Sequence, residues 1–374
     1  MKDNNIIRIG LIGSGDITRF IHSPGFKLCP NVQIALACDS VQETAENTAR
    51  MFEIPKVTTN YHEVLDNPEI DAVVVATPNS LHKTISIEAL ESGKHVLCEK
   101  PLGIDLAECN TMVEIAQKSG LVNAVSFIYR FAPAIRYLKY IIDSGALGEI
   151  RHFRAQYLQR VPDIFLGWRS KSSLAGAGGG ALGDVGTHLI DFAHYLVGEI
   201  DAVSAWTKTF LPQRRVAGTD HFEDCDVDDA AGYLAEFTNG ATGVFEVSRM
   251  VPGRGVAKND YQYVEINGTK GSAVYYLQDP FNLQVCPGLP YDEEKLVTMQ
   301  VPDAFLQVPG SPRRVMDNEP NIGFRYDQAF SFIQAIRGVE QKHLPNFVDG
   351  QLAQAVVDAV MESAATRSWV DVIH

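Results

Sequence analysis

The chain has 374 residues, 45% of them hydrophobic and 21% charged, which is typical of a globular protein with two domains and excludes an intrinsically disordered chain. It carries 46 acidic and 32 basic residues, a formal net charge of −14, which disfavours nucleic acid as a partner. No apolar run is long enough to span a bilayer and the first residues lack a signal-peptide core, so we expect a cytoplasmic protein without a membrane partner.

A short apolar strand is predicted at residues 6–12, and a glycine-rich turn follows it at once. Gly13 and Gly15 allow a tight turn and a close approach of the backbone to a pyrophosphate, which would lie at the N-terminus of a helix. The predicted cofactor-binding residues of this turn are Gly13, Ser14, Gly15, Asp16 and Ile17. Thr18 replaces the third glycine of the dinucleotide-binding pattern, which predicts looser packing of the helix on the strand or a variant of the turn.

A second apolar strand, predicted at residues 32–39, ends in Asp39. A carboxylate at this spacing from the glycines accepts hydrogen bonds from the ribose hydroxyls of a dinucleotide. Residues 40–42 contain no arginine or lysine to bind a 2′-phosphate, so we predict NAD rather than NADP as the cofactor. The plain alternative is a strand closed by a turn aspartate, which the preceding glycines disfavour.

Helices and strands continue to alternate, with helices predicted at 41–52 and 80–92 and strands at 71–76, 95–98 and 121–126. This alternation predicts a doubly wound parallel sheet with helices on both faces and a ligand at the carboxyl ends of the strands. Two segments follow such ends: Thr77-Pro78-Asn79 with His82, and Glu99-Lys100-Pro101. Lys100 is a candidate donor to a substrate oxygen, although most lysines are solvated surface residues.

A glycine-rich stretch at residues 176–183 leads into apolar positions with helical spacing, which predicts a loop that enters a helix near Asp184. Asp184 and His188 then share one face, where a carboxylate and an imidazole can reach the same small molecule or each other. An N-cap aspartate followed by an ordinary helical histidine explains the pattern equally well. His188, Asp191 and His194 do not predict a metal site, because positions 188 and 194 diverge by about 120° around a helix.

Several motifs occur in the order typical of one family: Gly13-x-Gly15, Asp39, Thr77-Pro78-Asn79 with His82, Glu99-Lys100-Pro101, Tyr129-Arg130-Phe131-x-Pro133, Trp168-Arg169, and Gly179-Gly180-x-Leu182-x-Asp184-x-Gly186-x-His188-x-x-Asp191. In these motifs the chain resembles the glucose–fructose oxidoreductase / inositol dehydrogenase / MocA-type oxidoreductases over about residues 6–198. Within the family, Tyr157-Leu158-Gln159 and the spacing to Trp168 resemble the levoglucosan and glucoside 3-dehydrogenases. Thr18 and Ile128, where the family often has asparagine, depart from the pattern.

The resemblance implies an NAD-binding Rossmann domain at residues 1–127 and an α+β domain at residues 128–374, whose large, open, mostly antiparallel sheet binds substrate and mediates oligomerisation. It implies that Lys100, Asp184 and His188 are catalytic and also contact the substrate. The further cofactor contacts that it implies are Asp39, Thr77, Pro78, Asn79, His82, Glu99, Lys100, Trp168 and Arg169, and the further substrate contacts are Tyr129, Arg130 and Gln159.

The implied reaction is hydride transfer between NAD and a secondary alcohol of a pyranose sugar, with a levoglucosan- or glucoside-like substrate and its C3 carbon favoured. His188 would accept the hydroxyl proton, Lys100 would stabilise the alkoxide, and Asp184 would orient His188 or bind an adjacent hydroxyl. Two alternatives stay open: an inositol dehydrogenase, and an enzyme that retains NAD and cleaves a glycoside.

Strands replace the alternating pattern after residue 148, with predictions at 150–159, 202–210, 230–237, 242–249, 261–266 and 272–276. Residues 211–228 read as a polar loop and residues 280–321 as irregular. The helices predicted at 324–339 and 349–365 are expected to pack back on the first domain. Because one face of the open sheet needs a cover, and because the family typically assembles through it, we expect a homodimer or homotetramer.

Overall fold

The computed structural model describes residues 6–160, 177–216, 219–254, 260–286, 294–315 and 320–373. The chain forms two compact units, each built from two separate stretches of sequence. The first unit comprises Met1–Phe131 and Gln307–Gln351, and the second comprises Ala132–Leu306 and Leu352–His374. The C-terminal segment is therefore divided between the two units.

The first unit contains a six-stranded sheet in the order β3-β2-β1-β4-β5-β6, with every neighbouring pair parallel. Its strands are β1 (Ile7–Ile12), β2 (Val32–Cys38), β3 (Val57–Thr58), β4 (Ala72–Val75), β5 (His95–Cys98) and β6 (Asn123–Val125). This order is that of a Rossmann fold, in which ligands bind beyond the carboxyl ends of the strands. The predicted doubly wound parallel sheet is confirmed.

Helices flank this sheet: α1 (Ser23–Leu28), α2 (Gln42–Phe52), α3 (His62–Leu65), α4 (His82–Glu91), α5 (Leu106–Ser119), and from the later segment α8 (Pro320–Gly323) and α9 (Asp327–Ile336). Short 3-10 turns occur at Asn79–Leu81, Ile128–Phe131 and Phe324–Tyr326. The strands β4 and β5 are almost wholly buried, which explains their continuous runs of β-branched and aliphatic residues. Helix α5 is additional to the predicted elements; the carboxylate of Asp105 caps it by accepting from Glu108 N.

The second unit contains a nine-stranded sheet in the order β16-β15-β14-β13-β7-β12-β11-β8-β17. Its strands are β7 (Ile150–Leu158), β8 (Ile200–Lys208), β11 (Ala230–Phe237), β12 (Thr242–Ser248), β13 (Tyr261–Gly268), β14 (Ser272–Tyr276), β15 (Asn282–Cys286), β16 (Val297–Gln300) and β17 (Val370–Asp371). Only the pairing of β12 with β7 is parallel. The predicted large, mostly antiparallel sheet is confirmed.

Two segments are more regular than the sequence suggested. Residues 211–228, predicted as a loop, contain the antiparallel pair β9 (Gln213–Arg215) and β10 (Phe222–Asp224). Residues 280–321, predicted as irregular, contribute β15 and β16 to the large sheet. Both predictions are wrong in this respect, because strands of 3 to 5 residues are too short for their alternation to stand out in the sequence.

One face of the large sheet is apolar and is covered by helices α6 (Pro133–Asp143) and α7 (Thr187–Leu196). The ring of Phe192 on α7, for example, packs edge-on against Tyr275 of β14, with centroids 6.1 Å apart. Helix α10 (Phe347–Thr366) completes the described helices. Along β7 and β13, buried and more exposed side chains alternate, as expected for a sheet with one covered face.

Candidate active site

The turn after β1 has two glycines with different structural roles. Gly13 has a φ of +95°, and a Cβ atom there would lie 2.2 Å from the carbonyl oxygen of Ala76. A Cβ atom on Gly15 would meet nothing within 4 Å. The fold itself therefore requires Gly13, whereas Gly15 leaves open space beside the backbone, as a pyrophosphate needs.

Asp39 is held at the end of β2 by the backbone of this turn. The amide of Ser14 donates to its Oδ2 over 2.9 Å, and the amide of Val41 donates to its Oδ1 over 3.0 Å. Each carboxylate oxygen can accept a second hydrogen bond, so the half-buried Asp39 can still accept from ribose hydroxyls. With Gly13 and Gly15, this arrangement fits the adenosine and pyrophosphate parts of NAD.

Thr18 explains how the chain dispenses with the third glycine. Its side chain is fully buried, and its hydroxyl donates to the carbonyl oxygen of Gly13 over 2.7 Å. The helix begins with a π turn at Thr18–His22 before α1. Of the two possibilities left open by the sequence, this is the variant turn: the helix is tied to the glycine loop by a side chain.

His82 joins the loops that follow β4 and β5. Its Nδ1 lies 2.8 Å from the carbonyl oxygen of Pro101, and its Nε2 lies 3.0 Å from that of Thr77. Burial lowers the pKa of His82, which favours the neutral ring. Both ring nitrogens lie within hydrogen-bonding distance of a backbone carbonyl oxygen, and the single N–H of a neutral ring can donate to one of the two. The His82 side chain therefore lies between the loops that follow β4 and β5 and links at least one of them to α4.

Glu99 is a buried carboxylate that links the π turn to the loop carrying Lys100. Its Oε1 lies 2.8 Å from His22 Nε2, and its Oε2 accepts from the backbone amide of Lys100 over 3.2 Å. Burial raises the pKa of Glu99, but the hydrogen bond and charge of His22, the charge of Lys100 and a hydrogen bond from Ser126 outweigh it, and the pKa lies below its ordinary value. The carboxylate is therefore ionised.

The peptide bond between Lys100 and Pro101 is cis, and Lys100 is partly exposed.

Tyr129 and Arg130 are buried within the first unit. Arg130 Nη2 lies 2.6 Å from Asp349 Oδ1, and the guanidinium of Arg325 lies 4.8 Å from the centre of the Tyr129 ring. Both predicted substrate contacts thus also form structural contacts with the C-terminal part of this unit.

In the second unit, the glycine-rich stretch enters a helix as predicted, but the first turn, Leu182–Gly186, is a π turn. Asp184 lies in this turn, partly exposed, and Arg249 Nη1 approaches its Oδ2 to 3.8 Å. His188 lies on α7 and is buried. Arg249 was not among the predicted residues, because it comes from the end of β12 and nothing in its sequence context points to Asp184.

The side chain of Asp228 holds the glycine-rich stretch by two hydrogen bonds. Its carboxylate accepts from the amides of Gly180 over 2.7 Å and Leu182 over 2.8 Å. A Cβ atom on Gly180 would lie 1.8 Å from the Asp228 carbonyl oxygen. Gly180 is thus required for the approach of two backbone segments of the protein itself.

Gln159 is buried just beyond the end of β7, in a polar cluster beside α7. Its Nε2 donates to Asp260 Oδ1 over 2.8 Å, and the Tyr157 hydroxyl donates to Asp260 Oδ2 over 3.0 Å. The centres of the Tyr157 and His188 rings are 6.3 Å apart. The predicted substrate contact Gln159 and the predicted base His188 therefore flank the same tyrosine. Asp260 was missed, since only the pairing of β7 with β13 reveals it.

Trp168 and Arg169, the predicted contacts at the nicotinamide end of the cofactor, lie outside the described residues. Within the described part of the chain, no group of three or more His, Cys, Asp or Glu side chains is arranged to hold a metal ion. No helix in the described ranges is long and apolar enough to cross a membrane.

Two family models match the chain. Residues 7–127 match an oxidoreductase family with an NAD-binding Rossmann fold, and residues 135–274 match the GFO/IDH/MocA C-terminal domain. The chain belongs to the GFO/IDH/MocA family. The predicted family, the NAD cofactor and the assignment as an NAD-dependent oxidoreductase are thereby confirmed.

Among members of the GFO/IDH/MocA family, levoglucosan dehydrogenase of Pseudarthrobacter phenanthrenivorans is 35% identical over 98% of both chains. The scyllo-inositol 2-dehydrogenase (NAD(+)) of Bacillus subtilis is 31% identical over 71% of this chain and 72% of its own. A solved structure of levoglucosan dehydrogenase in complex with NADH and levoglucosan is 34% identical, covers 98% of this chain and 100% of its own, and superimposes with a TM-score of 0.88. The similarity thus extends over both units.

Proposed function

We propose that the protein oxidises a secondary alcohol of a pyranose sugar, with a levoglucosan- or glucoside-like molecule as substrate and C3 as the oxidised carbon. Residues 1–127 bind NAD in this proposal, and residues 128–374 bind the sugar. The full-length similarity to levoglucosan dehydrogenase supports the substrate class.

The proposed reaction breaks one C–H bond and one O–H bond of the substrate: the hydride goes to the cofactor and the proton goes to the protein. Bound NAD would supply the acceptor for the hydride that leaves the carbon. His188 accepts the hydroxyl proton, since an imidazole is a competent base near neutral pH. The ammonium group of Lys100 stabilises the negative charge that develops on the oxygen. Asp184 orients His188 or binds an adjacent hydroxyl, and the guanidinium of Arg249 lies 3.8 Å from its carboxylate.

The observation that carries this proposal is the environment of His188. The helix places this base against a strand that presents Tyr157 and, just beyond its end, Gln159, two side chains that bind hydroxyl groups. A polar cluster on an otherwise apolar sheet face is what a polyhydroxylated substrate requires.

The test is NADH formation, followed by absorbance, with levoglucosan, glucose, methyl glucosides and inositols. His188→Ala removes the proposed base and Lys100→Ala removes the ammonium group that stabilises the developing negative charge. Each change is expected to lower kcat by about 10²- to 10⁴-fold while NADH binding persists. The exposed residues Lys118 and His221 provide matched controls, and their alanine variants should retain full activity. Unchanged turnover in either active-site variant would disprove the catalytic assignment.

An inositol is the second candidate substrate, because an NAD-dependent scyllo-inositol dehydrogenase is among the relatives. A pyranose and a cyclitol present similar rings of hydroxyl groups, so the same polar cluster suits either. The ratio of kcat/KM for levoglucosan and for scyllo-inositol decides between them. Cleavage of a glycoside without net NADH would instead favour the NAD-retaining mechanism.

We also propose that the protein forms a homodimer or homotetramer through the open face of the large sheet. Trp206 is 52% exposed and Leu234 is 50% exposed, and both lie on that face. Exposed aromatic and aliphatic side chains on a broad sheet are typical of an interface. Light scattering after size exclusion measures the assembly, and Leu234→Glu should shift it toward the monomer.

A further inference from the structure

We infer that Asp260 and Gln262 on β13 take part in substrate recognition: Asp260 positions the amide of Gln159, and Gln262 binds a second hydroxyl group of the same molecule. This inference rests on the proposed function, since it concerns a polyhydroxylated substrate beside His188. Neither residue belongs to a motif that the sequence singled out.

Strand pairing brings these residues together. In the antiparallel ladder of β7 and β13, Gln262 lies opposite Tyr157, and the same register places Asp260 opposite Gln159. Side chains that face each other in this way have Cβ atoms about 5 Å apart on one face of the sheet. The four residues therefore form one block on the helix-covered face, and all four are buried.

The hydrogen bonds within the block determine what it offers to a ligand. A carboxylate only accepts, so Asp260 must receive the N–H of Gln159 and the O–H of Tyr157. The Nε2 of Gln159 also lies 3.3 Å from the Tyr157 hydroxyl oxygen. With the amino group of Gln159 committed in this way, its carbonyl oxygen is the atom left to accept from a substrate hydroxyl. Asp260 thus decides which end of the Gln159 amide faces the substrate.

Gln262 is the second independent observation. Its side chain is fully buried, yet neither its Oε1 nor its Nε2 has a hydrogen-bond partner among the residues that the structure describes. A buried amide without partners has lost its hydrogen bonds to water and gained none, so an apolar residue would stabilise the fold better. Residues that weaken the fold in this way are typical of functional sites.

The position of Gln262 in the sheet indicates the kind of ligand that its side chain binds. It lies opposite Tyr157, whose ring is 6.3 Å from the ring of His188. An amide supplies both a donor and an acceptor, which is the combination that one sugar hydroxyl can use in full. Because the Gln159 carbonyl oxygen and the Gln262 amide each suit one hydroxyl group, the chemical class proposed is a molecule with at least two neighbouring hydroxyl groups.

Gln262→Met tests the first half of the inference, because methionine has a similar volume and no hydrogen-bonding groups. We expect the KM for levoglucosan to rise about tenfold with kcat nearly unchanged, while the unfolding temperature stays the same or rises. A lower unfolding temperature with an unchanged KM would show that Gln262 is purely structural and would overturn this half.

Asp260→Asn and Gln159→Leu test the second half through a double-mutant cycle. If Asp260 acts through Gln159, the KM of the double variant should equal that of Gln159→Leu alone. Additive effects of the two changes would overturn the positioning role. Affinity for NADH, measured by fluorescence, should stay unchanged in all variants.

Titration calorimetry of the NADH-bound wild type with levoglucosan and scyllo-inositol measures binding of each probe, and the NADH-formation assay run with NAD measures its oxidation; together they distinguish failure of the proposed function from failure of this inference. If the wild type neither binds nor oxidises either probe, the proposed function fails. If it binds and oxidises a probe and the block variants bind that probe equally well, the proposed function stands and the inference about Asp260 and Gln262 fails.

Discussion

Exchanging the two glycines of the cofactor turn for alanine should separate folding from cofactor binding. In Gly13→Ala the new methyl group lies 2.2 Å from the backbone oxygen of Ala76, at a φ of +95°. A left-handed backbone costs a non-glycine residue about 1–2 kcal/mol, and relieving an overpacked contact costs about 1–3 kcal/mol. Together these predict a loss of about 2–5 kcal/mol, or roughly 5–15 °C in unfolding temperature.

Gly15→Ala is the matched change, since its methyl group meets no atom within 4 Å. Its unfolding temperature should equal that of the wild type, while its dissociation constant for NADH should rise about tenfold or more, because the methyl group occupies the space that a pyrophosphate needs. Thermal unfolding without cofactor and fluorescence titration with NADH give the two quantities. Wild-type stability in Gly13→Ala, or wild-type NADH affinity in Gly15→Ala, would refute the division of roles.

Three further predictions concern Asp39, Glu99 and the cysteines. Asp39→Ala should narrow the preference for NAD over NADP about tenfold in kcat/KM, since it removes the ribose acceptor; an unchanged ratio would contradict the role of the carboxylate. Glu99→Gln should lower the unfolding temperature at neutral pH because it removes the buried carboxylate that contacts His22 and the amide of Lys100. The difference should vanish as the pH falls through the folded pKa of Glu99, below its ordinary value of 4.5. A difference that persists in acid would contradict this. Native alkylation with iodoacetamide should modify the partly exposed Cys286 before the buried Cys29, because burial raises the pKa of the Cys29 thiol to about 12. If mass spectrometry finds Cys29 modified first, the burial of Cys29 is contradicted.

The first half of the fold could be predicted closely because its signals are local in sequence. The strand predicted at residues 95–98 was found as His95–Cys98, and the alternation of strands and helices fixed a parallel sheet. Thr18 shows the limit of this approach. A missing glycine reads as a defect, whereas the hydroxyl that compensates for it is visible only in three dimensions.

The residues of the candidate site also fall into two groups, those that the local sequence predicts and those that it does not. Asp184 and His188 could be found because four residues of helix separate them. Arg249, Asp260 and Gln262 could not, since each acquires its neighbours in the site from a segment of chain far away in sequence. Side chains at the ends of strands acquire their neighbours from the register of the sheet, which no short motif records.

The division of the first unit into two stretches of sequence has a consequence for how the protein is made. Strand β6 relies on the later stretch, because Gln328 donates to the carbonyl oxygen of Val125 and contacts Ser126, and Arg130 pairs with Asp349. A ribosome that adds about 5–20 residues per second needs about 10–40 s to travel from Phe131 to Gln351. The first stretch of this unit thus emerges early, but its later stretch follows only after Ala132–Leu306 of the second unit, and until then β6 lacks its contact with Gln328.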